Sequence, residues 1–296
     1  MPDRPTRWIS LSSSELRIEI DPLGAQLSTL RDRDGHDLLW GGDPAVWAGR
    51  APLLFPIVGA LAGGRYRLGS TSYALSRHGF ARGRPFEVAD VTSAGATFTL
   101  RADAASLQIY PFQFELAVDY ALLGRTLAVT ARVHNAGNED LPASFGYHPA
   151  FRWPLPYGRA RSAHFIEFTQ EEPAPMRRLN TAGLLTPTLH PTPIVQRRLA
   201  LADALFRDDV IIFDKVQSRS VTYGAADGPR LQVSYPDAPY LGIWTKPQAD
   251  FICIEPWHGI ADPEGYTGDF RVKPGVFMVP PGATLPAQMT VTLLDT

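Results

Sequence analysis

Alternation of apolar and polar residues with a period of two is the feature that most constrains the fold of this 296-residue chain. A period of two places successive side chains on opposite faces of a β-strand, so each alternating stretch predicts a strand with one buried face. The alternating stretches are residues 16–20, 112–120, 127–133, 231–235 and 285–293. Helical periodicity is scarce, and only residues 203–206 are compatible with a short helical turn.

Short turns join these stretches into antiparallel pairs. Residues 123–125 separate two alternating runs, and residues 226–229 separate the run at 220–223 from the run that begins at Leu231. Two such runs around a short glycine-containing turn are typical of a β-hairpin. Strands do not alternate with helices, and no glycine-rich phosphate motif occurs. We therefore predict an all-β fold, a large antiparallel sandwich or barrel with few short helices, as a single domain over residues 1–296.

Residues 171–198 interrupt this pattern. They are rich in proline and lack clear periodicity, but no break in composition marks a linker. We interpret them as a long excursion over the sandwich rather than a domain boundary. The sequence leaves open whether this segment closes over a pocket.

Bulk composition narrows the classes of function. The formal net charge is −2, which indicates neither a nucleic-acid partner nor a membrane partner. Cys253 is the single cysteine, which excludes an intrachain disulfide and a thiolate metal cluster. The N-terminal residues lack the apolar segment of a secretory signal, and no apolar run reaches membrane-spanning length. We therefore expect a cytoplasmic protein.

Two stretches place a histidine among residues that recognise ligands. Residues 77–84 read RHGFARGR, which is either a solvated basic loop or a cluster of donors, including His78 and Arg82, for an oxygen-rich ligand. Residues 144–151 read SFGYHPAF. His148 lies there between aromatic residues and before a proline, where it is either a hydrogen-bonded structural residue or a general acid or base.

Glu255 ends an apolar run in ICIEPWHG, residues 252–259. A carboxylate at the end of a buried strand is costly unless it is paired or takes part in chemistry, and both interpretations stay open. Together the three stretches supply two histidines, one carboxylate and several arginines, flanked by aromatics such as Trp244 and Trp257. Because sugars present C–H faces to rings and hydroxyls to charged groups, this mixture is typical of a carbohydrate pocket.

Other chemistries have weaker support. No HxH or HExxH spacing occurs, so we predict no metal site, and no GxSxG motif marks a serine nucleophile. Cys253 lies two residues before Glu255 and would share its face of a strand. A catalytic thiol therefore stays open beside the simpler interpretation of a small buried apolar residue.

Taken in order, the motifs resemble the bacterial branch of the aldose 1-epimerase (galactose mutarotase) family. The matching patterns are APLLFPIVG at 51–59, HGFAR at 78–82, FGYHPAF at 145–151, WTKP at 244–247 and CIEPWHGIAD at 253–262. They run over most of the chain. The resemblance implies a β-supersandwich of antiparallel strands, a sugar pocket on its concave face, no cofactor, and a monomer or weak homodimer.

The resemblance also implies roles for single residues. It places the general acid at His148 and the general base at Glu255. The predicted substrate-binding residues, including two flanking tryptophans, are His78, Arg82, Asp209, Trp244, Arg50 and Trp257. Asp208 and Asp214 are close alternatives to Asp209 as the aspartate that binds sugar hydroxyls.

We therefore predict a cofactor-independent isomerase that interconverts the α and β anomers of a hexose. A hexose 6-phosphate is the alternative substrate, because Arg77 and Arg84 add positive charge beside HGFAR. A sugar-binding or sensing protein without turnover could use the same scaffold, although retention of both His148 and Glu255 favours catalysis. A glycoside-cleaving enzyme or lyase would commonly need a second carboxylate in the site.

Overall fold

The computed structural model describes residues 8–295, and the regular secondary structure of the chain is almost entirely β-strand. The strands are β1 Ile9–Ser12, β2 Leu16–Asp21, β3 Gln26–Asp32, β4 Leu53–Leu54, β5 Arg65–Leu68, β6 Thr71–Ala74, β7 Glu87–Ala89, β8 Gly95–Arg101, β9 Phe114–Leu123, β10 Thr126–Asn135, β11 Leu141–Ala143, β12 Phe145–Tyr147, β13 Ala150–Arg152, β14 His164–Phe168, β15 Arg198–Ala200, β16 Ile211–Phe213, β17 Ser220–Ala225, β18 Arg230–Ser234, β19 Tyr240–Trp244, β20 Phe251–His258, β21 Phe277–Val279 and β22 Thr284–Leu294. The helices are α1 Ala104–Ile109 and the 3₁₀ turns Ala62–Gly64, Ala81–Gly83, Arg161–Ala163, Asp203–Phe206 and Phe270–Val272. The predicted all-β fold with few short helices is confirmed, as is the predicted turn at 203–206.

Two large sheets form the layers of the sandwich. One has nine strands in the order β15-β14-β17-β18-β22-β10-β9-β8-β7. The other has six, in the order β16-β19-β20-β12-β4 with β13 paired to β20. Smaller sheets join β1-β2-β3, β11-β21 and β5-β6. Both predicted hairpins are confirmed, as β9–β10 and β17–β18.

The nine-stranded sheet follows the period-2 pattern of the sequence. Along β10, Thr126–Asn135, buried residues alternate with half-buried ones at every position. Its inner face packs against the six-stranded sheet. There the buried Tyr147 hydroxyl on β12 accepts from the Ala131 N–H at 3.0 Å and donates to the Ala287 carbonyl at 2.8 Å. The main hydrophobic core is one cluster of buried residues drawn from most of the sequence, between Leu11 and Val291.

Strand β20 of the six-stranded sheet does not alternate, because it is covered on both faces. Ile252 and Ile254 point into the main core between the sheets. Phe251 and Cys253 point the other way, into a second apolar cluster with Trp40. All eight residues of β20 are buried. The residues of β20 that face away from the main core, Glu255 among them, therefore lie under the loops that cover this sheet.

The loops that cover the six-stranded sheet include the proline-rich segment 171–198. Isolated bridges hold it in place, pairing Met176 with His190 and Arg177 with Ile212. The segment therefore runs over the sandwich as predicted and is pinned to the edge strand β16. Within residues 8–295, no helix is long and apolar enough to cross a bilayer.

Candidate active site

A cavity of about 280 Å³ lies on the outer face of the six-stranded sheet. Seven of the eight residues predicted to act on or bind a substrate line it. They are His78, Arg82, His148, Asp209, Trp244, Glu255 and Trp257. Four widely separated parts of the sequence, 78–82, 148, 209 and 244–257, therefore meet at one cavity.

Strand register explains why His148 meets Glu255. Both β12 and β13 pair with β20, with Gly146 opposite Trp257 and Ala150 opposite Cys253. His148 lies midway between the two paired residues, so it falls beside Glu255. The gap between His148 Nε2 and Glu255 Oε2 is 3.2 Å.

Trp257 fits beside Glu255 because two neighbouring strands carry glycine. A Cβ atom at Gly242 on β19 would lie 2.5 Å from the Trp257 ring. A Cβ atom at Gly146 on β12 would lie 2.7 Å from the same ring. Since real Cβ contacts are never so short, both glycines are needed for the indole to lie flat along the sheet. This leaves room for the cavity above Glu255.

Burial shifts the protonation of the His148–Glu255 pair. Glu255 is 1% exposed, and burial raises the pKa of its carboxyl well above the usual range, against the lowering effect of the Arg77 charge. Burial lowers the pKa of His148 to about 3. A low-dielectric site disfavours the charged form of each group, so the pair holds one proton between them near neutral pH.

Two tryptophans hold the imidazole of His148. The Trp47 ring stacks on it with centroids 5.1 Å apart, and Trp244 meets it edge-on at 5.7 Å. Within residues 8–295, three buried polar atoms of the cavity wall have no hydrogen-bond partner: His148 Nδ1, Glu255 Oε2 and Trp257 Nε1. Buried polar groups are normally paired, so these atoms are suited to a polar ligand.

His78 forms the adjoining wall in its neutral form. Its φ is 68°, which turns the ring toward His148 with centroids 5.9 Å apart. The Gly59 N–H lies 3.1 Å from Nδ1. Burial, with the nearby positive charges of His148 and Arg77, holds the pKa of His78 well below its usual range. The Arg77 Nε–H points at Nε2 from 3.2 Å, and a neutral imidazole accepts at only one ring nitrogen, so the tautomer decides whether His78 accepts from Gly59 or from Arg77.

Charged side chains surround the mouth of the cavity. Arg77, Arg82 and Lys246 line it, together with Asp209, whose Oδ2 lies 4.0 Å from Arg77 Nη2. Arg82 also donates to the Arg77 carbonyl at 2.9 Å, which joins the two arginines. Arg84, the last arginine of the same motif, instead pairs with Asp103 at 2.7 Å. Arg77 and Arg82 of the motif therefore line the cavity, whereas Arg84 forms an ion pair away from it.

The three candidate aspartates differ in their position relative to the cavity. Asp209 lines the cavity, in a left-handed conformation with φ of 65°. Arg178 of the 171–198 segment holds this turn by donating to the carbonyls of Asp209 and Leu205, each at 2.7 Å. Asp208 is exposed. Asp214 lies away from the cavity and accepts a hydrogen bond of 2.9 Å from Arg177.

The 171–198 segment also supplies part of the cavity wall directly. Leu179 lines the cavity beside Ile212. The segment is anchored on the far side, where the Leu185 N–H donates to the Asp262 carbonyl at 2.9 Å. In this structure the segment is thus a fixed side of the site.

Arg50 does not lie where the prediction placed it. Its guanidinium donates to the Ser28 carbonyl at 2.8 Å and lies over the Trp8 ring, outside the cavity. The backbone around Arg50 is tied to the Gln26 side chain, which turns Arg50 toward the three-stranded sheet. Arg50 is therefore not among the residues that line this cavity, and its assignment as a substrate contact gains no support from its position.

Sequence reasoning missed some residues of the wall. Trp47 stacks on His148, but it lies in a glycine-rich loop. The only feature of that loop that could have indicated a site residue was the aromatic ring itself, because no strand pattern surrounds it. Lys246, Leu179 and Ile212 also line the cavity. Their positions depend on how loops fold over the sheet, which local periodicity does not determine.

An antiparallel β-sandwich with a buried histidine–glutamate pair in an aromatic-lined cavity defines an enzyme that acts on a small polar substrate. The family model described as Aldose 1-epimerase matches residues 7–268, and the chain belongs to that family. It is a sugar epimerase and so an isomerase.

Similar proteins cover nearly the whole chain. Protein LacX, chromosomal, of Lactococcus lactis subsp. lactis is 33% identical over 297 residues, covering 97% of this chain and 99% of that protein. A galactose mutarotase related enzyme from Lactobacillus acidophilus has a TM-score of 0.90 at 29% identity, with 98% of each chain covered. A galactose mutarotase-like protein from Lactobacillus casei ATCC 334 also has a TM-score of 0.90 at 29% identity, covering 97% of this chain and 100% of that chain.

Proposed function

We propose that this chain is a cofactor-independent mutarotase that interconverts the α and β anomers of a hexose. The observation that carries the proposal is the 3.2 Å separation of His148 Nε2 and Glu255 Oε2 in the cavity wall. In a pyranose the O1 hydroxyl and the ring oxygen are both bonded to C1. An acid and a base that act on these two oxygens therefore have to be close neighbours.

Ring opening needs two proton transfers. The Glu255 carboxylate accepts the proton of the O1 hydroxyl while the His148 imidazolium donates a proton to the ring oxygen. The bond between C1 and the ring oxygen breaks, and C1 becomes an aldehyde. Both transfers use groups within reach of C1, and the atoms balance without a co-reactant.

Ring closure returns both protons. Rotation about the C1–C2 bond presents the other face of the aldehyde to the hydroxyl that was formed from the ring oxygen. As this hydroxyl attacks C1, it gives its proton to His148, and the Glu255 carboxyl protonates O1. The product is the opposite anomer, and the enzyme regains its starting form.

The protonation preferences of the pair support these roles. After ring opening, Glu255 is protonated and His148 is neutral, and burial favours those forms of both residues. Before ring opening, the ionised forms compensate each other as an ion pair at 3.2 Å. The neutral forms that burial favours are thus those reached after proton transfer, which suits the pair to exchanging protons with the sugar.

The rest of the cavity suits a sugar. Trp47, Trp244 and Trp257 offer apolar faces to C–H groups. Asp209 and Arg82 offer charged groups for hydroxyls at the opposite wall. We propose these residues, with His78, as the substrate contacts.

A hexose 6-phosphate is the second candidate substrate. Three cations, Arg77, Arg82 and Lys246, line the cavity against one carboxylate at the mouth, Asp209. Arginine and lysine together are the usual partners of a phosphate group. A phosphorylated sugar would place its charge at this mouth and its C1 at the buried pair.

Polarimetry with freshly dissolved α-glucose, α-galactose and their 6-phosphates tests the proposal. We expect catalysed relaxation to the anomeric equilibrium without a new product, and the ratio of kcat/KM values identifies the preferred substrate. Binding without faster relaxation of any of these sugars would indicate a sensor and contradict the proposal. Release of a reducing end from a glycoside would indicate a hydrolase instead.

A further inference from the structure

Cys253 lies directly beside the acid–base pair. It precedes Glu255 by two residues on β20, so both side chains point to the same face. Cys253 is opposite Ala150 in the strand register, two residues after His148. One nitrogen of His148, the Cys253 sulfur and one Glu255 oxygen all lie within 4.8 Å of one another.

We propose that His148, Cys253 and Glu255 form a binding site for a thiophilic divalent cation, Zn²⁺ or Cd²⁺, and that the bound ion inhibits the enzyme. Imidazole, thiolate and carboxylate are the ligands that such ions take in proteins. The inhibition part of this inference rests on the proposed function, because the ion would occupy the two proton-transfer groups. The binding part stands on the geometry alone.

The His148–Glu255 distance already matches a shared ion. Two ligand atoms bonded to one tetrahedral zinc at about 2.0–2.1 Å lie roughly 3.3 Å apart. The observed separation is 3.2 Å. Only the sulfur has to approach, and a rotation of the Cys253 side chain supplies such a movement.

Unpaired atoms point to a ligand at this place. The Glu255 side chain is 2% exposed, and its Oε2 atom has no hydrogen-bond partner in the described part of the chain. His148 Nδ1, on the other edge of the imidazole, is also unpaired among residues 8–295. A cation beside Glu255 Oε2 would satisfy an oxygen that the protein itself leaves unpaired, while its nitrogen ligand would be Nε2, the ring nitrogen nearest that oxygen.

Charge balance allows the site despite the arginines at the cavity mouth. A thiolate and a carboxylate together cancel the two charges of the ion, so the filled site gains no net charge beside Arg77 and Arg82. When the ion binds, the Cys253 thiol and the Glu255 carboxyl release any proton they carry to solvent. Cys253 is fully buried and does not itself line the cavity, so an ion would have to enter past His148 and Glu255, which do.

Inhibition by Zn²⁺ is the first test, with Cys253→Ala as the matched variant. We expect micromolar Zn²⁺ to slow the anomerisation catalysed by the full-length wild-type protein, and a chelator to restore the rate. Cys253→Ala keeps the acid–base pair and should keep the uninhibited rate while needing at least about tenfold more Zn²⁺ for the same inhibition, because one of three ligands is gone. Equal inhibition of both proteins would overturn the inference.

A direct binding measurement separates this inference from the proposed function. Cd²⁺ bound by a thiolate gives a sulfur-to-metal charge-transfer absorption, which we expect in the wild-type protein and not in Cys253→Ala. Cys253→Ser, which is closer in volume, replaces the alanine variant if that variant does not fold. Absence of the absorption in the wild-type protein would overturn the inference even if Zn²⁺ inhibited turnover. Its presence in a protein that did not catalyse anomerisation would overturn only the proposed function.

Discussion

The two large sheets of this protein use buried residues in opposite ways. Along β10 of the nine-stranded sheet, buried apolar residues alternate with polar ones that reach the surface, such as Arg132, which pairs with Asp119. Along β20 of the six-stranded sheet every residue is buried, yet Glu255 and Trp257 keep polar atoms that lack partners within residues 8–295. Strand β10 contributes no unpaired buried side-chain atom within residues 8–295, whereas β20 leaves such atoms available to a ligand.

This difference suggests that the nine-stranded sheet mainly stabilises the fold, whereas the six-stranded sheet carries the groups available for chemistry. An unpaired buried carboxyl is destabilising, so a fold tolerates it only where other contacts are extensive. The nine-stranded sheet provides those contacts through the shared core. We therefore expect substitutions in the two sheets to affect different measurements, and each prediction below tests that separation.

The largest effect is expected for Glu255→Gln. Loss of the base should lower kcat for anomerisation by about a hundredfold to ten-thousandfold, the usual contribution of a general base. The amide is neutral, like the protonated carboxyl that burial favours, so the free energy of unfolding should stay within about 1 kcal/mol of the wild-type value. Polarimetry and urea unfolding measure the two quantities, and His148→Asn should behave similarly.

Phe98→Ala is the matched change in the nine-stranded sheet. Phe98 on β8 is fully buried, so its truncation should lower the free energy of unfolding by about 3–5 kcal/mol. The rate per folded molecule should equal that of the wild-type protein. A wild-type rate for Glu255→Gln, or a hundredfold slower rate for folded Phe98→Ala, would contradict the proposed division between the sheets.

The fold of the nine-stranded sheet was largely predictable from sequence. Hairpins β9–β10 and β17–β18 join neighbours in the chain, so local alternation and turn residues determine them. The short helix α1 was missed, although Asp103 and Ser106 form a capping box that the sequence displays. A six-residue helix leaves too little periodicity to stand out.

Most of the residues predicted for the site line one cavity, but their arrangement was not predictable from the sequence. His148 and Glu255 were recognised from motifs, whereas their contact depends on the register of β12 and β13 against β20. That pairing joins residues about a hundred positions apart, beyond any local signal. Arg50 lies outside the cavity and Trp47 was missed for the same reason, because loop packing decides which side chains turn toward the cavity.

A smaller effect is expected for Trp244→Ala. The indole lines the cavity and meets His148 edge-on, so its loss should raise KM about three- to tenfold, as expected for a ring contact of about 0.5–1.5 kcal/mol. The value of kcat should change little. Trp40→Ala serves as the control, since Trp40 packs on the same face but does not line the cavity. A raised KM in Trp40→Ala alone would show that the wall has been assigned wrongly.

The smallest predicted effect is a shift of the pH profile in Arg77→Gln. The positive charge of Arg77 lowers the pKa of both Glu255 and His148. Removing that charge raises both pKa values, so the base ionises at higher pH and the acid keeps its proton to higher pH. Both limbs of the kcat/KM profile should therefore move to higher pH.

Arg84→Gln is the matched control for this shift, because Arg84 belongs to the same motif but pairs with Asp103 and does not line the cavity. Its profile should coincide with that of the wild-type protein. Arg77 is about half exposed, so added salt should screen its charge and move the wild-type profile in the same direction by a smaller amount. The variant Arg77→Gln should respond less to salt than the wild-type protein. A shift to lower pH, or an equal shift in Arg84→Gln, would mean that the charges at the cavity mouth do not tune the buried pair.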